Sequence, residues 1–506
     1  MELELQKEQF NCYLPAPPQS LTLEETAETI VPDRDPDVGR IIDAGACLLL
    51  QSHAIADGKL TASGTVEVTL LYAAEDAVSP RALHYALPFE HSVKLPDGCD
   101  KACLSGQVCN VEVRLLNPRK LFTRLDVDWR ITPYCRSVLT TCGEIEEEAQ
   151  YAIQTLCERY DVSLIRCVCE RSFTFSDELT LSGGKDPIEQ LLSHRARLRV
   201  TEAKLLGSKV LLKGVACLSL LYANAGGKLC SYAEELPFSQ IFDCDEDLSG
   251  EGNVDVVLNL IAAEVHSGEE SGRNVAVKLF LHAALVIREP ARVCCISDLY
   301  STTYALNAQL QTVSLHQEPR VSTVTQSVRE QLDAGTEVSA VLAADVCFGS
   351  VGLHAEGGKT VLRAAATLSI LYLDDTETPL SLRRRVEIAA EVNADPDAQI
   401  SVDGICADDI TAALNTGGVE LRFTASFTLR CAETIECACL TALSAEPLEQ
   451  NGNAPSLVLR ALREGETLWD VAKQYLTTAE AILAANELTD GVLPEAGRML
   501  LIPCSR

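Results

Sequence analysis

Hydrophobic and polar residues alternate with a period of two through three segments, each ending in tyrosine. They read LTASGTVEVTLLY (60–72), LLKGVACLSLLY (211–222) and LRAAATLSILY (362–372). Counting back two, four and six residues gives Leu70, Val68 and Val66, then Leu220, Leu218 and Ala216, then Ile370, Leu368 and Ala366. This alternation predicts a strand with one buried and one wetter face. Gly64, Gly214 and Ala364 lie eight residues before their tyrosines, and Tyr72, Tyr222 and Tyr372 are 150 residues apart. A fixed spacing of that size marks one domain present three times.

The copies extend beyond these strands. Asp35-Pro36 matches Asp186-Pro187 upstream, and Leu87-Pro88-Phe89 matches Leu236-Pro237-Phe238 downstream. The third copy has neither, reading Val386-Glu387-Ile388 in the second place. A closing strand alternates at Leu121, Thr123, Leu125, Val127, Trp129 and Ile131, at Val275, Val277, Leu279 and Leu281, and at Leu421, Phe423, Ala425, Phe427 and Leu429. The expected fold is mainly β: tandem antiparallel sandwiches or open barrels, followed by a small α+β module. The β domains are expected at 1–140, 165–315 and 316–443, the last divergent. The segment EIEEEAQYAIQTLCERY (144–160) has acidic residues first and Arg159 late, which predicts a helical connector over 141–164. The polar stretch 444–456 reads as a linker.

The last 50 residues change character. Over 457–504 the order is strand, helix, helix, strand. Thr467 is the expected N-cap of a first helix with Leu468, Val471, Ala472 and Tyr475 on one face. Thr477 or Thr478 caps a second, holding Ile482 and Leu483, with Asn486 at its left-handed end. MLLIP (499–503) closes the module.

A net charge of −31 without Lys/Arg clusters argues against nucleic acid and against an anionic membrane surface. It confers solubility, with an acidic face for a basic partner as the alternative. MELELQKEQF does not have the pattern of a signal peptide, and Lys278 and His282 interrupt the most apolar run, so cytosolic residence without membrane insertion is expected. None of the 21 cysteines forms Cys-x-x-Cys; small buried thiols, later cross-linking and metal binding all remain open. The eight histidines, His53, His84, His91, His194, His266, His282, His316 and His354, form no zinc-protease pattern. No nucleophile elbow or phosphate loop occurs. The expectation is a protein that is not an enzyme and uses no metal or cofactor.

The C-terminal module resembles a LysM domain through Gly465-Glu466-Thr467-Leu468-Trp469-Asp470-Val471-Ala472, Tyr475, Thr478, Asn486-Glu487-Leu488, Gly497 and Leu501-Ile502-Pro503. LysM domains bind N-acetylglucosamine-containing glycans between the loop before the first helix and the loop after the second. The resemblance implies a binding groove at Gly465, Glu466, Thr467, Leu468 and Trp469, facing Leu488, Thr489, Asp490, Gly491 and Val492. Trp469 reads either as a helix-anchoring core residue or as an exposed contact. Glu466 replaces the usual Asp, and the groove is acidic.

Together, the G-x-V-x-V-x-L-L-Y and L-P-F copies and the terminal LysM resemble the SPOCS-plus-LysM, SipL-type spore coat assembly proteins of endospore-forming Firmicutes. ISDLYSTTY (296–304) adds to the likeness. That family implies a scaffold in the mother-cell cytoplasm, at the forespore surface. Its implied partner is the coat morphogenetic ATPase, stage IV sporulation protein A, docked by the LysM domain. The alternative is a LysM-mediated binder of peptidoglycan or other N-acetylglucosamine glycans in the envelope.

Overall fold

The structure, a computed structural model, describes residues 1–75, 79–244, 248–268, 272–392, 399–448, 455–488 and 497–504. The first copy contains β1 (Leu5–Pro15), β2 (Gln19–Ile30), β3 (Val38–Ala56), β4 (Lys59–Ala74), β5 (Arg81–Lys94), β6 (Cys99–Asn117) and β7 (Lys120–Ile145). The second contains β8 (Ile153–Thr180), β9 (Gln190–Leu206), β10 (Lys209–Ala223), β11 (Leu229–Asp243), β12 (Asn253–Ser267) and β13 (Asn274–Ser301). The third contains β14 (Tyr304–His316), β15 (Arg320–Asp333), β16 (Val338–Glu356), β17 (Lys359–Asp374), β18 (Pro379–Val392), β19 (Gln399–Asn415), β20 (Gly418–Ala432) and β21 (Thr434–Pro447). Last come β22 (Leu457–Ala461), α1 (Leu468–Gln474), α2 (Ala479–Ala485) and β23 (Met499–Pro503). No described helix is long and apolar enough to cross a membrane.

Each copy is a sandwich of two antiparallel three-stranded faces, and β1, pairing with both β7 and β8, joins one face of the first copy and one of the second into a single seven-stranded sheet. In the first, β3-β4-β5 faces β2-β7-β6; in the second, β9-β10-β11 faces β8-β13-β12; in the third, β16-β17-β18 faces β15-β20-β19. The alternating residues do what their period requires. Val66, Val68, Leu70 and Tyr72 meet Leu121, Leu125, Val127, Trp129 and Ile131 in one core, and Leu368, Ile370 and Tyr372 meet Phe423 and Phe427 in another. The signature tyrosines share a task. Tyr72 donates to the carbonyl of Pro36, Tyr222 to that of Asp186 and Tyr372 to that of Ala334, tying down the loop before the second strand. The third copy keeps this bond without Asp-Pro.

The loss of L-P-F is compensated in the same way. Phe89 pairs with Gly64 and Phe238 with Gly214, whereas Ile388 pairs with Ala364. A Cβ on Gly214 would lie 2.3 Å from the Phe238 ring and 2.8 Å from the Arg199 carbonyl, whereas one on Gly64 would lie 2.0 Å from the Leu49 carbonyl, so the adjacent strand's backbone requires glycine in both copies and the ring adds to it in the second. The prolines lie on the outer strands β5 and β11, where a missing N–H costs little.

The copies are arranged as a ring of three. Ile42, Leu192 and Leu342, and Leu71, Leu221 and Leu371, are each spaced by 150 residues and gather in one cluster. Beside it Arg195 and Arg197 pair with Asp345, joining the second copy to the third, and Arg383 pairs with Asp43 at 3.0 Å, joining the third to the first. A separate hub forms from strand extensions: β1 with the tail of β7, the first half of β8 with the second half of β13, and β14 with β21. Residues at matching positions fill it, such as Cys142, Ile296 and Leu440, and Ile145, Leu299 and Leu443.

Two expectations need correction. Residues 144–160 contain no helix: β7 runs to Ile145, a turn follows, and β8 starts at Ile153. Tyr151 and Ile153 are drawn into the hub, and that nonlocal burial overrides local helix preference. Glu147 and Ala152 shape the turn with φ of 58° and 45°. The expected linker also begins too early, because Ser444 to Pro447 pair with Asn307 to Tyr304 in β21. Residues 449–454 lie outside the described residues.

The cysteines divide. Cys99–Cys135 joins β6 to β7 and Cys157–Cys294 joins β8 to β13 as disulfides. Cys142, Cys295, Cys437 and Cys439 are buried hub thiols.

Candidate functional site

The C-terminal module is a βααβ unit whose two strands pair antiparallel, Leu457 opposite Pro503. Thr467 caps α1 in a capping box: its hydroxyl accepts from the Asp470 amide, and Asp470 accepts from the Thr467 amide at 2.8 Å. Thr478, not Thr477, caps α2. Val471, Ala472 and Ile482 are buried with Leu462, Leu500 and Ile502, and Leu468, Tyr475 and Leu488 pack against them. The expected left-handed residue is displaced by one. Asn486 has φ −107°, and Glu487 takes φ 51°. Asn486 instead spends its side chain on the module itself, donating to the Leu501 carbonyl and accepting from the Leu501 amide.

Of the ten groove residues expected, six are described. Gly465 is exposed with φ 79°, a conformation suited to glycine. Glu466 is mostly buried against Arg460, and the Arg463 amide and the Arg460 guanidinium hold its carboxyl below the usual range despite partial desolvation. Leu468 and Leu488 are half-buried in the module. Thr489, Asp490, Gly491 and Val492 lie outside the described residues.

Trp469 belongs to neither of its two expected settings alone. Its indole N–H donates to Asp298 Oδ2 at 2.8 Å, and its ring meets Tyr300 edge-on at 4.9 Å between centroids. Asp298 also receives Lys473. The Tyr300 hydroxyl donates to the Thr477 carbonyl at 2.7 Å, and its ring enters the module's own core. ISDLYSTTY is therefore the seat of the C-terminal module: the end of β13 leaves the hub and carries Asp298 and Tyr300 into it. Burial pushes the Asp298 carboxyl up, yet the bonds from Lys473 and Trp469 outweigh it and hold this group below its ordinary value. Sequence reasoning picked out the motif without its role, because 171 residues separate Asp298 from Trp469.

Chemically, the polar side chains of this loop are already engaged. The Glu466, Thr467 and Trp469 polar groups are committed within the chain, so a ligand in this loop would be met chiefly by backbone groups and by neighbouring hub surface.

Comparison with known families locates both architectures. A LysM domain matches residues 462–503, and the SipL SPOCS domain matches 37–117 and 187–266. The SPOCS matches span β3 to β6 and β9 to β12; the corresponding β16 to β19 of the third copy lie outside them. No curated protein and no solved structure matches the chain.

Proposed function

Taking the chain as a sporulation-related protein of SPOCS domains with a terminal LysM domain, we propose that it is a non-enzymatic scaffold of spore coat assembly. It acts in the mother-cell cytoplasm at the forespore surface. Both of its domain families are binding or scaffold types. The LysM domain docks a protein, the coat morphogenetic ATPase stage IV sporulation protein A, and the ring of sandwiches holds that domain in a defined orientation.

One observation carries this reading: the groove-loop tryptophan is bound to Asp298 and Tyr300 of the hub. The indole N–H is committed to Asp298 and the ring is half-buried against Tyr300, which limits it as an apolar platform for a sugar ring. Module and hub instead form one composite surface. A stable protein interface needs about 800 Å² per partner, and the composite offers a protein partner more surface than the module by itself.

The glycan reading keeps one support, the match of residues 462–503 to a LysM domain. A paired experiment separates the two. The purified full chain is incubated with the purified ATPase and, in parallel, sedimented with insoluble peptidoglycan. Retention on the ATPase with a protein-free peptidoglycan pellet is expected. Thr467→Asp adds a charge to the loop and still offers an N-cap acceptor, although it replaces the hydroxyl that donates to Asp470, so it should weaken ATPase capture, with circular dichroism checking that α1 persists. Sedimentation with peptidoglycan that Thr467→Asp abolishes, alongside no ATPase capture, would overturn the scaffold reading.

A further inference from the structure

His53, Glu170 and His282 meet where the first sandwich abuts the second. His53 stands near the end of β3, Glu170 on β8 and His282 on β13. In the β8–β13 register Glu170 faces Ala284 and Ser172 faces His282, so the acid and the histidine are diagonal neighbours on one face. That face turns away from the second core: Ala284 and Val286 pack with Tyr13, Cys103 and Tyr134 of the first copy. The cluster thus draws one group from one copy and two from the next.

Its geometry is convergent. His53 Nε2 lies 2.7 Å from Glu170 Oε1, and His282 Nε2 lies 3.3 Å from Oε2. The rings stand edge-to-face with centroids 5.3 Å apart. The three ligand atoms all lie within 4.8 Å of one another. The imidazoles are 10% and 14% exposed and the carboxylate 40%, so the cluster is walled by the rings and open to water at the acid. Among the described residues, His282 Nδ1 is buried with no partner, leaving Nε2 as that ring's one polar engagement. Burial pushes Glu170 up, but the hydrogen bonds of His282 and His53 outweigh it and hold its carboxyl at about 2, so an anion faces both rings across the ordinary pH range.

We propose that His53, Glu170 and His282 bind a zinc ion that clamps the first sandwich to the second. Two imidazoles and one carboxylate with an open fourth position for water form a common zinc ligand set. Calcium and magnesium prefer all-oxygen shells, which two buried imidazoles do not supply. Tetrahedral bonds of about 2.0–2.1 Å place ligand atoms roughly 3.3 Å apart, close to the 2.7 and 3.3 Å that separate the two imidazole nitrogens from the carboxylate. No sequence pattern announces the site, because its ligands are 117 and 112 residues apart.

The full chain, stripped by chelator and titrated with cobalt(II), should take up one tight equivalent. Its spectrum should show low-coordinate d–d bands in the visible, without the near-ultraviolet thiolate charge transfer that a site among the 21 cysteines would give. Zinc should displace the cobalt and raise the melting temperature. His53→Gln or His282→Gln should weaken binding by at least about 10–100-fold, the loss that even an outer-shell change brings. His53→Cys tests the same place by a gain of signal, since thiolate charge transfer should appear at that one equivalent. Cobalt bands dominated by thiolate in the unaltered chain, or metal binding indifferent to His53→Gln and silent in His53→Cys, would overturn the proposal.

Discussion

β7, β8 and β13 each run through a sandwich and on into the hub, yet the two halves of one strand are stabilised differently. In the sandwich, Leu125 or Leu279 packs against strands of its own copy. In the hub, Cys142, Ile296 and Leu440 pack against one another across three copies. A sandwich core is built almost wholly by its own six strands, with Leu49 and Cys47 of the first copy joining the second. The hub needs two strands from every copy, so its stability belongs to the assembly and not to any repeat. The LysM domain is seated on the hub, and its orientation therefore depends on all three copies.

The sharpest way to break this contrast is a pair of core truncations. Phe427→Ala removes a fully buried ring from the third sandwich and should cost about 3–5 kcal/mol there, leaving the first two sandwiches protected in hydrogen exchange. Leu440→Ala in the hub should cost about 2–5 kcal/mol and loosen β1, the β7 tail and the start of β8 together. If the first change spread to every copy, or the second stayed within one, the division would be wrong.

A smaller effect tests the copies against each other. Gly214→Ala should destabilise the second sandwich by about 1–3 kcal/mol, because its new Cβ meets the Phe238 ring and the Arg199 carbonyl. Combining it with Phe238→Ile reproduces the third copy's pairing and should recover part of that loss. Chemical denaturation of the single and double variants measures the coupling.

The seat of the LysM domain should yield less. Tyr300→Phe removes one hydroxyl bond to the Thr477 carbonyl, worth about 0.5–1.5 kcal/mol, and should speed proteolytic cutting between hub and module without altering the sandwiches. Acid offers a gentler probe. Asp298 is held below its ordinary 3.8, so its contribution is complete above that value and is lost as pH falls through the lowered one. Docking followed by Trp469 fluorescence should weaken only in that acid window, and Asp298→Asn should flatten the response. An equally steep response in Asp298→Asn would remove this carboxylate from the account.

How much of this was legible depended on how far apart the partners lie in the chain. The capping box of Thr467 and Asp470 spans three residues, and local spacing revealed the cap. Trp469 was legible as important but not as docked, since Asp298 comes from another repeat. The segment 144–160 misled because glutamate, alanine and glutamine favour helix locally, whereas Tyr151 and Ile153 are claimed by the hub.

By itself the sequence determined the strands, their buried faces, the threefold repetition and the βααβ order of the last module. Alternation, caps and turn residues act over a few residues, so their consequences can be read in place. Only the tertiary structure decided that residues 150 apart meet in one cluster, that strand tails build a shared hub, and that two histidines and a glutamate converge between copies. A period of two shows which side of a strand is buried. It carries no information about which distant surface does the burying, because that surface is chosen by packing among the completed copies.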